Sequence, residues 1–286
     1  MRHTSLIALL GSAILGVSAC GEPQEAQVAR AIESVQAIDQ ANMIELMLNV
    51  ADPAEAVTYF QRQLEQDPGS IELRRGLATA LAQAGRPAQA VPVWQEVIQS
   101  SGSTNEDRVQ LADAQIRDNK WAEAGATLNS IPPTYETYRR YRLEAMIADS
   151  RQEWNRADHF YETAAGLTTR PSGVYNNWGY SKLTRGEFRD AERLFIEALQ
   201  YDPTSFTAKN NLVLARAGQR RYELPLVDMT QTERAQFLHT MAIAAIRQGD
   251  VNVGRTMLEE AIDTHPRHFD QAVRALRALD GNVGRG

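Results

Sequence analysis

The sequence predicts an all-α fold, a solenoid of helical pairs stacked side by side along the chain. Apolar residues recur at helical spacing in two blocks per unit, and Gly85, Gly186 and Gly249 separate the blocks at equivalent positions, where a turn is expected. One helical pair cannot bury both of its faces, so neighbouring pairs must stack to form a continuous core. A small residue followed four positions later by a bulky one marks the units, the first copies being 33 or 34 residues apart: Ala56/Phe60, Ala90/Trp94, Ala124/Leu128, Ala157/Tyr161 and Ala191/Phe195, with a weaker copy at Gly254/Leu258.

The N-terminus has the pattern of an export signal. Arg2 provides a positive charge, and residues 6–17 form an uncharged apolar stretch that is too short to span a bilayer as a mature helix. The stretch leads into VSAC, which ends at Cys20 and resembles the lipobox of bacterial lipoproteins. The alternative is a cytosolic or ordinarily secreted protein whose apolar N-terminus ends in cysteine by chance.

The lipobox resemblance implies cleavage after Ala19 and lipid on Cys20, so that the mature protein is anchored to a membrane and does not span it. Because the next residue is Gly21 rather than aspartate, the resemblance also implies the outer membrane, with the protein facing the periplasm. We therefore expect a lipoprotein signal peptide at 1–19 and a lipidated anchor and spacer at 20–36.

The repeat solenoid is expected over residues 37–280. Pro225 interrupts it, because proline is excluded from a helix interior, and the segment 220–231 is therefore either a shortened second helix or a loop after a first helix at 206–219. Residues 281–286 are expected to form a flexible tail. Helical pairs are expected at 37–69, 70–103, 104–137, 138–171, 172–205 and 235–268, and a capping helix at 270–279.

The best copy of the unit runs from Val174 to Pro203. Its matching residues resemble those of the tetratricopeptide repeat. This resemblance implies a right-handed superhelix with a concave and a convex surface, in which small residues let two helices approach and bulky ones fill the space to the next pair. The matching positions are Tyr175, Trp178, Gly179, Gly186, Phe188, Ala191, Phe195, Ala198 and Pro203.

Composition and charge exclude several classes of protein. The chain has 286 residues, of which 43% are hydrophobic and 23% charged, as is typical of a globular protein. Its net charge is -6, and 27 of its 30 basic residues are arginines that form no basic cluster, so nucleic acid is not expected as a partner. Since the chain has a single cysteine, a multi-cysteine metal site is ruled out.

The sequence contains no catalytic, metal-binding or cofactor-binding motif, and we predict no catalytic residue, no metal ligand and no cofactor. His265 and His268 flank a turn without a third ligand nearby, and His159 and His239 fall in separate repeats. The tryptophans would suit a ligand platform, but we assign all four to the repeat core: Trp94, Trp121, Trp154 and Trp178.

In tetratricopeptide arrays the first helix of each pair lines the concave groove. Aligning the first helices of this chain with the repeat pattern identifies the residues expected to face a ligand. Two asparagine pairs, at 176–177 and 210–211, are 34 residues apart and are expected to stack and bind the backbone of an extended peptide. The alternative is that asparagine is simply common at these positions. Two arginines one repeat earlier suit a carboxylate. The residues predicted to bind a partner in the groove are Asn176, Asn177, Tyr180, Asn210, Asn211, Arg139 and Arg142. Further groove positions by the same register include Arg75, Thr79, Val109, Asp113, Met146 and Leu214.

A lipid anchor followed by helical repeats indicates a scaffold that holds another protein at a membrane. The whole chain most resembles the TadD-type lipoprotein of the tight-adherence (Flp) pilus assembly system, in its size, its NNWGY and NNLVL helices and its closing LEEAIDTHP repeat. The resemblance implies a role in pilus assembly, with a secretin or another pilus-assembly component as the partner. Two alternatives stay open: a general lipoprotein adaptor for outer-membrane protein assembly or cell-wall synthesis, and an enzyme with a cryptic site.

Overall fold

The structure, a computed structural model, describes residues 40–283, which form fourteen α-helices and no β-strand. The predicted all-α solenoid is confirmed. The predicted signal peptide at 1–19, the lipidated Cys20 and the spacer at 20–36 lie outside the described residues. The helices are α1 (described over 40–49), α2 (Pro53–Gln66), α3 (Ile71–Gln83), α4 (Pro87–Gln99), α5 (Asn105–Arg117), α6 (Trp121–Asn129), α7 (Tyr138–Ser150), α8 (Trp154–Gly166), α9 (Ser172–Thr184), α10 (Phe188–Tyr201), α11 (Phe206–Gly218), α12 (Gln231–Arg247), α13 (Val251–Thr264) and α14 (Asp270–Val283).

The helices alternate between first and second members of a pair. First helices are α1, α3, α5, α7, α9, α11 and α12, and α11 is the one that lacks a second helix. α14 packs against α13 at the end of the array. It ends at Val283, so the helix continues into the segment 281–286 that the sequence analysis assigned to a flexible tail.

Short polar side chains begin several of the first helices. The Thr104 hydroxyl accepts a hydrogen bond from the backbone N–H of Asp107, whose carboxylate accepts one from the Thr104 N–H, and Thr230 and Glu233 form the same reciprocal cap. The second cap explains why α12 begins at Gln231, four residues before the predicted start at 235.

A left-handed residue makes the turn between the two helices of a pair. The three turn glycines predicted from the sequence have φ values of 69°, 77° and 87°. Residues with side chains occupy the equivalent turns elsewhere, at a steric cost that glycine does not have. The glycines are Gly85, Gly186 and Gly249, and the other turn residues are Asn119, Gln152 and Arg220, with φ values of 60°, 59° and 55°.

Close helix contacts form where a small residue faces a bulky one, as the 34-residue pattern predicts. Ala191 and Phe195 of α10 are fully buried. A Cβ added to Gly179 of α9 would lie 2.7 Å from the Phe195 ring, so the two helices meet at a distance that only glycine permits. These contacts hold each first helix against its second helix, and the first helices are left to line the groove.

The segment 219–230 between α11 and α12 is a loop that takes the place of a second helix. Arg220 still makes the left-handed turn, but Pro225 then ends any helical path. Ion pairs hold the loop in place: Arg220 Nη1 lies 2.8 Å from Asp250 Oδ2, and Arg221 Nη1 lies 2.9 Å from Glu192 Oε2. Because α11 has no second helix of its own, it packs directly on α12.

Candidate functional site

Two cavities lie next to each other along the first helices. We call the cavity between α3, α5 and α7 the charged section; its volume is about 560 Å³. We call the cavity between α7, α9 and α11 the aromatic section; its volume is about 490 Å³, and α6 and α8 contribute Trp121, Trp154 and Tyr161 to it. The first helices thus contribute most of the lining of both cavities, and Trp94 of α4 adds to the charged section.

In the charged section the acidic side chains are paired with arginines. Arg75 binds Asp107 through two hydrogen bonds of 2.8 Å each. Burial alone raises the pKa of Asp107, but the hydrogen bonds from Arg75 and Thr104 outweigh burial and hold that pKa below its usual range. Asp113 likewise accepts a hydrogen bond of 2.5 Å from Arg117 Nε.

The two selected arginines lie in the charged section, where each already has an acidic neighbour on α5. Arg139 Nη1 lies 2.9 Å from Glu106 Oε1, and Arg142 Nη2 lies 3.6 Å from Asp113 Oδ1. A carboxylate of a partner would therefore compete with the chain's own carboxylates for these guanidinium groups.

The four selected asparagines do not form a single stack. Asn211 Nδ2 donates to Asn176 Oδ1 at 3.1 Å, which joins α9 to α11, whereas Asn210 Oδ1 accepts from the Thr240 hydroxyl of α12 at 3.0 Å. Asn177 Nδ2 lies 3.5 Å from the sulfur of Met146. Asn176, Asn177 and Asn211 line the aromatic section, but Asn210 does not.

Tyr180 is the most accessible of the selected residues in the aromatic section, with 54% of its surface exposed. Asn211 is only 8% exposed, so its amide serves mainly to join the helices. Among the described residues, Asn176 Nδ2 and Asn177 Oδ1 have no hydrogen-bond partner within the protein. These two amide groups remain free to bind a peptide backbone.

The assignment of all four tryptophans to the core is wrong for Trp154, which is only partly buried and lines the aromatic section. Trp121 packs against the core and also lines that section. Trp94 is buried, at 4% exposure. The sequence did hold a signal: Trp121 and Trp154 each follow a turn residue by two positions, whereas Trp94 occupies the bulky core position of its repeat.

Asp149 of α7 also lines the aromatic section, and sequence reasoning missed it. Its carboxylate accepts hydrogen bonds from the Tyr161 hydroxyl at 2.9 Å and from the Ser181 hydroxyl at 2.6 Å. Burial raises the pKa of Asp149 despite these two bonds and the attraction of Arg185, and repulsion by Asp158 adds to the rise.

Asp158 of α8 has a different environment from Asp149. It accepts hydrogen bonds from Arg185 Nη2 at 2.6 Å, Lys182 Nζ at 2.9 Å and Trp178 Nε1 at 2.7 Å. Burial opposes ionisation of Asp158, but these donors outweigh it and lower the pKa of the carboxyl. Asp158 therefore joins repeats and, together with Glu187, balances the charges of Lys182 and Arg185.

The side chains of residues 40–280 include no candidate metal site. No group of three or more His, Cys, Asp or Glu side chains in that range could hold a metal ion. Neither His159 nor His239 lies within 4.0 Å of a carboxylate there; His239 packs against Phe269, and burial lowers its pKa. No helix within 40–283 is both long enough and apolar enough to cross a bilayer.

Two segments of the chain match models of the tetratricopeptide repeat, residues 51–100 and residues 176–224. They contain the helical pairs and close contacts described above. These two segments of the chain therefore carry tetratricopeptide repeats. No curated protein matches its sequence.

Solved structures share the tetratricopeptide solenoid at low sequence identity. The APC/C hetero-tetramer Cut9-Hcn1 matches with a TM-score of 0.59 and 11% identity over 82% of this chain and 48% of that chain. Human IFIT1 in complex with PPP-AAAA matches with a TM-score of 0.58 and 14% identity over 82% of this chain and 60% of that chain. A tetratricopeptide repeat protein from Parabacteroides merdae matches with a TM-score of 0.54 and 10% identity over 84% of this chain and 96% of that chain. This chain thus spans 48% and 60% of the first two structures, and the likeness shows the fold alone.

Tetratricopeptide arrays are scaffolds that bind proteins or peptides, and the matching models are those of interaction repeats and not of a catalytic family. The groove of this protein offers two chemically different sections to such a partner. The aromatic section combines apolar walls with free amide groups, a combination that suits a peptide segment.

Proposed function

We propose that this protein is a lipid-anchored scaffold at the periplasmic face of the outer membrane, where it holds an extended segment of another protein in its groove. The observation that carries the peptide-binding part is the aromatic section, in which Asn176 Nδ2 and Asn177 Oδ1 stand free beside Tyr180. A donor and an acceptor on neighbouring residues match the alternating C=O and N–H groups of an extended chain.

The anchoring part rests on the sequence around Cys20. An apolar stretch, a VSAC motif and a single cysteine support attachment through lipid. Substitution of Cys20 by serine removes the thiol that lipid requires, so the variant should leave the membrane fraction, and continued fractionation of Cys20→Ser with the outer membrane would refute the anchor.

We further propose that the partner belongs to the tight-adherence (Flp) pilus assembly system and is its secretin or another assembly component. The support is the resemblance carried by the NNWGY and NNLVL helices, which lie in α9 and α11, and by the closing LEEAIDTHP repeat, which lies mostly in α13. A scaffold fixed in the membrane that receives the secretin would hold it where the pore assembles.

Affinity purification of the lipidated protein from solubilised membranes tests both the scaffold and its partner. A pilus secretin or assembly protein should be enriched. Recovery of proteins of outer-membrane protein insertion or of cell-wall synthesis instead would overturn the pilus assignment and leave the scaffold intact.

A matched pair of tyrosine variants tests whether the groove does the binding. Tyr180→Ala should lower recovery of the partner several-fold, because Tyr180 lines the aromatic section. Tyr201→Ala is the control, since Tyr201 is equally exposed, at 53%, but lies on the second helix α10. Equal recovery with both variants would place the partner on another surface.

A further inference from the structure

Asp149 is a carboxylate without a counter-ion in an otherwise uncharged cavity. It receives two hydroxyl hydrogen bonds, from Tyr161 and Ser181, and within residues 40–280 no arginine or lysine nitrogen lies within 4.0 Å of it. Among the residues that line the aromatic section, Asp149 is the charged one. Asp149 is half-buried, and a carboxylate that is partly removed from water costs free energy unless a cation is brought to it.

The cations nearest to Asp149 are already bound elsewhere. The guanidinium of Arg185, the residue after α9, lies 2.6 Å from Asp158 and stacks over the Trp154 ring at 5.2 Å. Lys182 Nζ lies 2.9 Å from Asp158 and 2.7 Å from Glu187. Rearrangement of either side chain toward Asp149 would break these bonds, so the protein does not supply the missing cation from its own residues at low cost.

The walls around Asp149 favour a cation that carries an apolar stem. Trp121, Trp154 and Tyr180 line the same cavity, and aromatic rings attract ammonium and guanidinium groups while covering the methylene groups behind them. The cavity volume of about 490 Å³ leaves room for a side chain together with part of its backbone.

We propose that the aromatic section is a pocket for a basic side chain, a lysine or arginine of the bound segment, whose charged head pairs with Asp149. The proposal rests on the groove binding described under Proposed function and specifies the chemistry of the residue that is bound there. The free amide groups of Asn176 and Asn177 would hold the backbone on either side of that residue.

The test uses the full-length lipidated protein in detergent and two capped pentapeptides that contain either a central lysine or a central Nε-acetyllysine between alanines. Binding is followed through the NMR signals of the tryptophan indole N–H groups. The lysine peptide should shift the signals of Trp121 and Trp154 and bind about tenfold more tightly than the acetyllysine peptide, because acetylation removes the charge.

Three variants define the result. Asp149→Asn keeps the size of the side chain and should abolish the preference for lysine. Asp113→Asn should keep the preference, because Asp113 belongs to the charged section and has Arg117 beside it. Tyr180→Arg places a positive charge at an exposed position of the pocket and should weaken lysine binding alone, which keeps the test decisive even if Asp149→Asn fails to fold.

Equal affinity for the two peptides, no binding of either, or a lysine preference that survives both Asp149→Asn and Tyr180→Arg would overturn the basic-residue pocket. These outcomes differ from a failure of the proposed function. Capture of a pilus component without lysine preference would support the scaffold and refute the pocket, whereas a clear lysine preference without any pilus component among captured proteins would support the pocket and refute the pilus role.

Discussion

The charged section and the aromatic section lie on consecutive first helices of one array, yet they treat their carboxylates in opposite ways. Asp107 is held by Arg75 through two short hydrogen bonds, whereas Asp149 has only hydroxyl donors. The pKa of Asp107 is lowered and that of Asp149 is raised. The repeat fold thus determines the position of a carboxylate but not whether a cation lies beside it. A carboxylate with its own counter-ion stabilises the fold, whereas one without a counter-ion is available to a partner.

Removal of the Arg75 guanidinium, the counter-ion of Asp107, should have the largest effect on stability. Arg75→Met leaves the nearly buried Asp107 without its counter-ion and should lower the free energy of unfolding by about 2 kcal/mol, below the range for fully buried pairs because Arg75 is partly exposed. Urea denaturation of the variant and the parent protein measures the difference. A loss of less than about 0.5 kcal/mol would show that the pair is as weak as an ordinary surface pair.

The two aspartates should also give opposite pH dependences. Because the folded-state pKa of Asp107 is lowered, its stabilising contribution is present above the ordinary aspartate value of 3.8 and is lost as the pH falls through the folded pKa. The folded-state pKa of Asp149 is raised, so its ionisation reduces stability as the pH rises from 3.8 through that raised value.

Melting temperatures of Asp107→Asn and Asp149→Asn between pH 3 and pH 8 check these signs. Asp107→Asn should be less stable than the parent at pH 7 and approach it in acid. Asp149→Asn should be at least as stable as the parent at pH 7. At that pH the parent carries a negative charge on Asp149, which burial and the nearby Asp158 disfavour. Strong destabilisation by Asp149→Asn at pH 7 would mean that the two hydroxyl bonds outweigh the cost of burying the charge.

The smallest expected effect is at a turn next to the aromatic section. Gln152 is exposed and holds a left-handed φ of 59°, so Gln152→Gly should raise the free energy of unfolding by about 0.5 to 1 kcal/mol. Peptide binding should be unchanged, because Trp154 two residues later keeps its place. Altered binding would show that the strained turn sets the position of that tryptophan.

The repeat architecture follows from the sequence because its signals are local. The small-to-bulky spacing from Ala191 to Phe195 recurs along the array and the turn glycine at 186 recurs at 85 and 249, and each corresponds to one contact or one turn. The loss of a second helix after α11 was equally visible in Pro225. Strong steric and hydrophobic preferences of single residues determined all three features.

Much of the candidate site could not be predicted because it depends on contacts between repeats. The bond from Asn211 to Asn176 and the absence of a cation at Asp149 depend on side-chain rotamers of helices that are about one repeat apart in sequence. The register indicated a helix face for Asn177 and Tyr180 that lines the aromatic section, but it did not distinguish a free amide from an occupied one.

The loop at 219–230 also determines how folding cooperativity passes along the array. In a solenoid each unit is stabilised by its neighbours, and here α11 is the helix that connects the repeats before it with α12 and α13 after it, assisted by the ion pairs of the loop. Its Val213 and Ala217 are fully buried in the C-terminal core, while Leu212 and Ala215 are buried in the preceding one. Local melting of this single helix would therefore divide the protein into two independently unfolding blocks.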